Sequence, residues 1–173
     1  MTGLAAFLHF PLPHTPVRVR SGRAAMAASF LIALTASTSA VAATLEMMTT
    51  SGCSCCHAWA KHLRAAGIEV TVKDMAMGQL MRSKLDAGVP ALLAACHTGR
   101  IEGYIIEGHV PLREIERLLA ARSDAIGLVV PGMPIGSQGM EAGDRQETYE
   151  VLLLKRDRTT EVFARYRGAK HLD

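Results

Sequence analysis

Apolar and polar positions after the first quarter of the chain follow patterns that predict strands alternating with helices. Strict alternation predicts strands at Thr44–Thr49 and at residues 68–73. Apolar residues at helical spacing predict helices from residue 56 to a stop at Gly67, at residues 75–86 and at residues 111–122. The last helix has proline at its first position, where a missing N–H breaks no hydrogen bond.

Two further apolar segments predict an antiparallel pair of strands. Residues 89–96 form a continuous apolar run that begins with a Val-Pro pair, and residues 101–108 follow a predicted turn at residues 98–100. The order β-α-β-α-β-β-α is that of the thioredoxin-like fold of the α/β class, and a Cys-x-x-Cys motif at the first helix agrees with it. That fold carries a cis-proline where the third strand begins. We therefore predict a cis Val89–Pro90 bond, a state of only about 5–6% of X–Pro bonds.

The C-terminal third lies outside this core pattern. Residues 131–145 form a long segment rich in glycine and proline, and loops of that length are usually functional or disordered. Residues 149–155 and 160–166 lie on either side of an Asp-Arg pair and predict one more β-hairpin. The predicted organisation is one thioredoxin-like domain at residues 43–173, extended by this loop and hairpin.

Residues 1–42 have the features of a secretory signal peptide with an N-terminal extension. Basic residues between positions 18 and 23 precede an apolar stretch at residues 24–34, and a run of small residues ends at Ala42. The apolar stretch is shorter than the roughly 20 residues that a membrane-spanning helix needs, which favours a cleaved signal over an anchor. We expect cleavage between Ala42 and Ala43, release into the periplasm and no membrane attachment afterwards.

The distribution of charge excludes one class of partner. The full chain carries a formal charge of +3, from 19 lysines and arginines and 16 acidic residues. Three of the basic residues and none of the acidic ones lie in the predicted signal peptide, so the mature chain is neutral. It has no basic stripe interleaved with aromatic residues, and we therefore exclude nucleic acid as a partner.

Three of the four cysteines, Cys53, Cys55 and Cys56, lie together at the start of the first predicted helix. The positive end of a helix stabilises thiolates, which are nucleophiles for disulfide exchange and soft ligands for Cu(I) or Zn(II). Disulfide exchange needs only two thiols, so a third thiol favours a metal site. Two alternatives stay open: a thiol–disulfide oxidoreductase that uses Cys53 and Cys56, and an interaction module stabilised by zinc or by disulfides.

Further candidate ligands lie elsewhere in the chain. Met133 and Met140 belong to the Gly/Pro-rich segment, have no helical period, and carry thioethers that bind Cu(I). His109 follows the predicted return strand and should come back beside the cysteines, as a ligand or as a partner of one. A straight strand from Pro90 would carry Cys96 roughly 20 Å along its length, away from the cluster. Topology alone therefore predicts that Cys96 is a buried structural thiol.

Four ordered motifs resemble a known family. They are the Cys-Ser-Cys-Cys cluster with Trp59, and the segments at residues 88–98, 103–111 and 127–141. Together they are similar to the periplasmic metal-binding proteins related to CopG of copper-resistance operons, and the resemblance extends over nearly all of residues 45–163. The resemblance implies a thioredoxin-like fold and a copper cluster held by all four cysteines, including Cys96. On that implication the third strand bends, or begins later than residue 89.

We therefore predict a periplasmic copper-binding protein that contributes to copper tolerance. Copper, as Cu(I) or Cu(II) and in a site that can take several ions, is the expected ligand, with zinc as the alternative. We predict a binding role, with redox cycling of the copper as an additional activity. The expected partners are copper ions and other periplasmic copper-handling proteins. The predicted metal ligands are Cys53, Cys55, Cys56, Cys96, His109, Met133 and Met140.

Overall fold

The structure, a computed structural model, describes residues 43–173. The predicted signal peptide at residues 1–42 lies outside the described residues, and its cleavage remains a prediction. Within the described part of the chain, no helix is long and apolar enough to span a membrane.

A single sheet of eight strands organises the described residues. Its strands in chain order are β1 (Thr44–Thr49), β2 (Glu69–Asp74), β3 (Thr98–Ile101), β4 (Tyr104–Glu107), β5 (Gly127–Val129), β6 (Thr148–Leu154), β7 (Thr160–Arg167) and β8 (Lys170–His171). Their order across the sheet is β2-β1-β3-β4-β5-β6-β7-β8. The pairs β1–β2 and β4–β5 are parallel, whereas every other neighbouring pair is antiparallel. The predicted C-terminal hairpin is confirmed as β6 and β7.

Three helices accompany the sheet: α1 (Ser54–Ala65), α2 (Met77–Asp86) and α3 (Leu112–Ala121). Each corresponds to a predicted helix, with its ends within two residues of the expected ones. The predicted mixed α/β class is therefore confirmed.

Helix α1 is fixed against the core by one face. Its buried residues are Cys56, Trp59, Ala60 and Leu63, the spacing of a single helical stripe. The indole N–H of Trp59 donates a hydrogen bond to the carbonyl oxygen of Val110, 2.9 Å away. This bond ties α1 to the segment that leads into α3.

The middle of the sheet is buried on both faces. In β4, Ile106 packs in the large core cluster that contains Trp59, whereas its neighbour Ile105 packs in a smaller cluster. Leu128 and Val129 of β5 divide between the two clusters in the same way. These strands are therefore apolar at consecutive positions, because both of their faces are covered.

The predicted strand at residues 89–96 is wrong, and so is the predicted turn at residues 98–100. Residues of the first segment instead form a 3-10 turn at Ala91–Leu93. Strand β3 begins only at Thr98, and the turn into β4 is at Glu102-Gly103, where both residues have positive φ. A short apolar run has the same composition in a buried strand and in a loop packed on a core, so its pattern alone does not distinguish them.

The predicted cis bond at Val89–Pro90 is also wrong, because the described residues contain no cis peptide bond. Pro90 has extended dihedral angles, φ −61° and ψ 140°, and precedes the 3-10 turn. The prediction depended on a strand that starts at this proline, and no strand starts there.

Candidate metal centre

All four cysteines come together in the structure. The sulfur atoms of Cys53, Cys55, Cys56 and Cys96 lie within 4.8 Å of one another. Cys53 and Cys56 form a disulfide, whereas Cys55 and Cys96 are free thiols. The sulfur of Cys55 lies 3.5 Å from that of Cys53. Cys56 is fully buried and the other three are partly exposed, so the cluster can be reached from solvent.

The start of α1 presents three of these sulfurs. Gly52 has φ +82°, a left-handed conformation that favours glycine, and it lets the chain turn from β1 into the helix. Cys53 is the residue before the helix, and Cys55 and Cys56 are in its first turn. A helix N-terminus carries a partial positive charge, which favours negatively charged groups near it.

Cys96 reaches the cluster from the loop before β3. Its neighbour Ala95 forms an isolated β-bridge with Gly132, and Thr98 begins the strand that pairs with β1. The chain turns between Pro90 and Cys96, so the expected separation along a straight strand does not arise. The prediction of a thiol remote from the cluster is therefore wrong, and Cys96 lies beside the other three cysteines.

A second group of candidate ligands shares Cys96. Its sulfur lies 3.2 Å from Nε2 of His109 and 3.3 Å from Nδ1 of His97. Nδ1 of His109 is 2.8 Å from the backbone carbonyl oxygen of Gln138, which can only accept a hydrogen bond, so this nitrogen carries the proton. The lone pair on Nε2 then faces the thiol, the arrangement in which histidine binds a metal.

Burial controls the protonation of this second group. It raises the pKa of the Cys96 thiol to about 12, and the neighbouring Cys55 adds to the increase. Burial also lowers the pKa values of His97 and His109. For His97, the charges of His109 and Lys84 lower the pKa further. Both imidazoles are therefore neutral at pH 7, and a metal that binds Cys96 must displace its proton.

Comparison with known proteins identifies the family. Residues 93–140, which carry Cys96, His97 and His109, match the family described as protein of unknown function, DUF411. A solved structure named copper resistance protein CopG, form 1, is 42% identical, and the match covers 74% of this chain and 100% of that one, with a TM-score of 0.69. Form 2 is 41% identical, with 73% and 99% coverage and a TM-score of 0.68. The chain belongs to the CopG-like copper resistance family. Among curated proteins there is no match.

The two methionines predicted as ligands in this CopG-like chain have different surroundings. Met140 lines a groove of about 430 Å³ together with Ser54 and Cys55 of α1. Met133 is 53% exposed and does not line that groove. The structure thus brings Met140 towards the cysteines and leaves Met133 at the surface of the loop.

Two residues that shape this CopG-like centre were not among the predicted ligands. His97 is fully buried, with its ring centroid 4.4 Å from that of Trp59 and 5.0 Å from that of His109. Gln138 accepts from His109 through its carbonyl and from the N–H of Leu112 through its side chain, at 2.8 Å in both cases. The only sequence signal for His97 is its adjacency to a cysteine. Gln138 has none, because a backbone carbonyl leaves no trace in the sequence.

The loop that carries Gln138 and Met140 is seated on α1 through Gly139. This residue has φ +85°, and a Cβ atom added to it would lie 2.6 Å from the backbone nitrogen of Trp59 and 2.8 Å from the carbonyl oxygen of Cys55. We expect Gly139→Ala to push the loop away from the helix and to lower the free energy of unfolding by about 1–3 kcal/mol more than the control variant does.

The matched control for this prediction is Gly143→Ala. Gly143 also has positive φ, +60°, but a Cβ atom there would meet nothing within 4 Å. Both variants therefore share the backbone strain of alanine in the left-handed region, and only Gly139→Ala adds the collision. Urea unfolding measures the difference, and equal losses in the two variants would show that the close approach is unimportant.

Proposed function

We propose that this chain is a periplasmic copper-binding protein that holds Cu(I) and contributes to copper tolerance. The observation that carries the proposal is the convergence of four cysteine sulfurs within 4.8 Å of one another. Soft thiolate ligands favour Cu(I) and Zn(II) over hard cations. The two similar structures are both named copper resistance protein, which favours copper over zinc.

The residues of the site fit a soft ion. In the reduced form the four cysteines offer up to four sulfur donors, and His109 adds the lone pair of Nε2, which its bond to Gln138 leaves free. Met140, in the groove beside Cys55, offers a thioether. Copper bound by these residues would supply one-electron redox chemistry. The chain itself binds the ion, orients the imidazole and, through buried Cys56 and His97, limits access by water.

Holding the ion with all four sulfurs requires the reduced site. The Cys53–Cys56 disulfide occupies two of these sulfurs, and its reduction by two electrons and two protons returns two thiols. In an oxidising compartment a bare cysteine cluster oxidises unless something occupies it. We infer that copper loading and protection of these thiols occur together.

We further propose that the part of the chain from β1 to α3 is a thioredoxin-like unit. The sheet order β2-β1-β3-β4, with β1 parallel to β2 and β3 antiparallel to both of its neighbours, supports this assignment. The position of the Cys-x-x-Cys motif at the start of α1 supports it as well. On this assignment β5 to β8 are the extension beyond the unit.

A thiol–disulfide oxidoreductase is the second candidate function. The observation that favours it is the disulfide between Cys53 and Cys56 at the helix N-terminus, where a thiolate leaves and attacks readily. Insulin reduction by the purified protein tests this function. Copper-free protein that reduces insulin as fast as a dedicated disulfide reductase would favour it over copper storage.

The metal content of the purified protein tests the copper proposal. We expect the exported protein, purified under reducing conditions, to contain at least one copper per chain and much less zinc, measured by elemental analysis. Oxidation before metal loading should lower the copper content, because the disulfide removes two donors. A reduced protein that contains zinc alone, or no metal, would contradict the proposal. Intact mass of the exported chain tests the expected N-terminus at Ala43.

The affinity for Cu(I) should rise with pH. The raised pKa of Cys96, about 12, means that this residue is a neutral thiol at pH 7 and must lose its proton to bind the ion. For each proton that the ion displaces from a thiol, the affinity for Cu(I) rises roughly tenfold per pH unit, as long as the pH is below the pKa of that thiol. Competition with a coloured Cu(I) chelator between pH 6 and 8 measures the slope, and a flat profile would contradict direct ligation by Cys96.

A further inference from the structure

A buried ion pair lies next to the candidate metal centre, and neither of its two residues is a candidate ligand. Nζ of Lys84, on α2, is 2.6 Å from Oε1 of Glu107, on β4, and 2.8 Å from Oγ1 of Thr98, on β3. The hydroxyl of Thr98 donates to Oε2 of Glu107 at 2.6 Å. Lys84 is 1% exposed and the other two residues are fully buried. We call these three residues the buried triad.

Stability alone does not explain a buried triad of this kind. Desolvation of two charges offsets much of their attraction, and well-packed apolar residues of similar volume often replace such a pair with no loss of stability. Its contacts to the chain around Cys96 suggest a different role.

The carboxylate of Glu107 holds the chain on both sides of Cys96. Oε1 accepts a hydrogen bond from the backbone N–H of Ala95, the residue before Cys96, at 2.6 Å. Oε2 accepts from the side chain of Thr98, two residues after it. The backbone adds a third contact, because the N–H of Gly108 donates to the carbonyl of His97 at 3.0 Å. One buried side chain on β4 thus fixes both ends of the segment that carries the thiol.

Few other hydrogen bonds hold this segment. Between the 3-10 turn and β3, the described backbone contacts are the bond from the N–H of Ala94 to the carbonyl of Ala91, the isolated bridge of Ala95 with Gly132 and the bond to His97. Loss of the Glu107 acceptor would leave the part-buried N–H of Ala95 without its protein partner, at the residue adjacent to Cys96.

We propose that Glu107, held in place by Lys84 and Thr98, is a positioning residue that sets the location of the Cys96 sulfur opposite Cys55 and His109. The inference rests on the proposed function, because it gives the buried triad the role of placing a ligand of that metal centre. Lys84 holds and neutralises the carboxylate, and the carboxylate anchors the segment.

Two matched double variants test the role of the acceptor. Lys84→Met with Glu107→Gln and Lys84→Met with Glu107→Leu both remove the two charges. Glutamine keeps an oxygen acceptor for the N–H of Ala95, whereas leucine does not. A difference between them therefore reports the anchoring of the segment and not the loss of the ion pair.

The first measurement needs no metal. In the mature chain with the Cys53–Cys56 disulfide formed, Cys55 and Cys96 are the two free thiols, so iodoacetamide labelling followed by mass spectrometry compares them within one sample. We expect the Cys96-to-Cys55 labelling ratio to rise about tenfold in the leucine variant, because the N–H of Ala95 loses its acceptor there. The glutamine variant should stay near the wild type. Equal ratios in the two variants would overturn the proposal.

The second measurement is Cu(I) affinity by chelator competition. We expect about a tenfold weaker affinity for the leucine variant than for the glutamine variant. If the wild type binds no Cu(I) while the labelling ratios differ as expected, the proposed function fails and the positioning role stands. If the wild type binds Cu(I) and the two variants match in both measurements, the positioning role fails and the proposed function stands.

Thr98→Val provides a second test if the leucine variant does not fold. Valine has nearly the shape of threonine but lacks the hydroxyl that donates to Glu107. We expect a several-fold rise in the Cys96-to-Cys55 labelling ratio with circular dichroism unchanged. A ratio equal to that of the wild type would overturn the proposal.

Discussion

Cys55→Ser is expected, on the proposed function, to remove most of the bound copper and the associated copper tolerance in cells. Serine offers a hard oxygen that stays protonated, so the substitution removes one soft donor from a cluster of four. Disulfide exchange does not need this residue, because Cys53 and Cys56 already form the pair. The copper-to-protein ratio after reductive loading, together with growth on copper, measures the effect.

The other cysteines and one neighbour provide the controls. Cys53→Ser, Cys56→Ser and Cys96→Ser should lose copper to a similar extent, whereas Ser54→Ala, which removes no metal donor at an exposed position of the same turn, should retain it. Insulin reduction by Cys55→Ser should equal or exceed that of the wild type. Full copper content in Cys55→Ser, with lost exchange activity in the Cys53 and Cys56 variants, would show that the site is a redox pair.

Lys84→Met alone is expected to lower the free energy of unfolding by about 3–5 kcal/mol, because it leaves the buried carboxylate of Glu107 without its cation. This is the largest stability effect that we predict for a single substitution in this chain. Chemical denaturation of the metal-free, disulfide-bonded protein at pH 7.5 measures it. The double variant with Glu107→Gln removes the stranded charge, keeps an acceptor for the N–H of Ala95 and should recover most of the loss.

The pH dependence of the same variant gives a sharper test. Burial already raises the pKa of Glu107 above its ordinary value of 4.5 in the presence of Lys84, and removal of the cation raises it further. A group whose pKa is raised on folding stabilises the protein below its unfolded pKa, and this stabilisation is lost as the pH rises through the folded value. The deficit of Lys84→Met relative to the wild type should therefore shrink towards pH 4.5 and grow towards neutrality. A deficit that does not change with pH would show that Glu107 is not the source of the loss.

Patterns of apolar and polar residues predict those elements whose contacts are between sequence neighbours, as in a helix, or repeat regularly along a paired strand. The bounds of β1 agree with the alternating pattern to the residue, because every position from Thr44 to Thr49 pairs with β2. The prediction of a strand at residues 89–96 is wrong because the apolar side chains of this segment belong to a turn and a loop. Strand β5 was not predicted, since three residues show no period. Its first residue, Gly127, is required by a contact, because a Cβ atom there would lie 1.8 Å from the carbonyl oxygen of Ile105.

The same distinction separates the parts of the site. Cys53, Cys55 and Cys56 are neighbours in sequence, so their spacing alone indicates a thiol cluster. Cys96 joins them only because the third strand starts late, and the family resemblance implied its place where strand geometry did not. The anchoring of that segment by Glu107 depends on side chains from three different elements. No periodic pattern in the sequence records such a contact.

The sharing of sulfur atoms between the Cys53–Cys56 disulfide and the four-cysteine cluster has an electrochemical consequence. An ion that needs all four sulfurs binds the dithiol form and not the disulfide form, so binding and reduction are thermodynamically linked. Each tenfold preference of the ion for the reduced form raises the midpoint potential of this two-electron couple by about 30 mV. The copper concentration around the protein would therefore set how easily this disulfide is reduced. The midpoint potential of the couple would rise as the concentration of available copper rises.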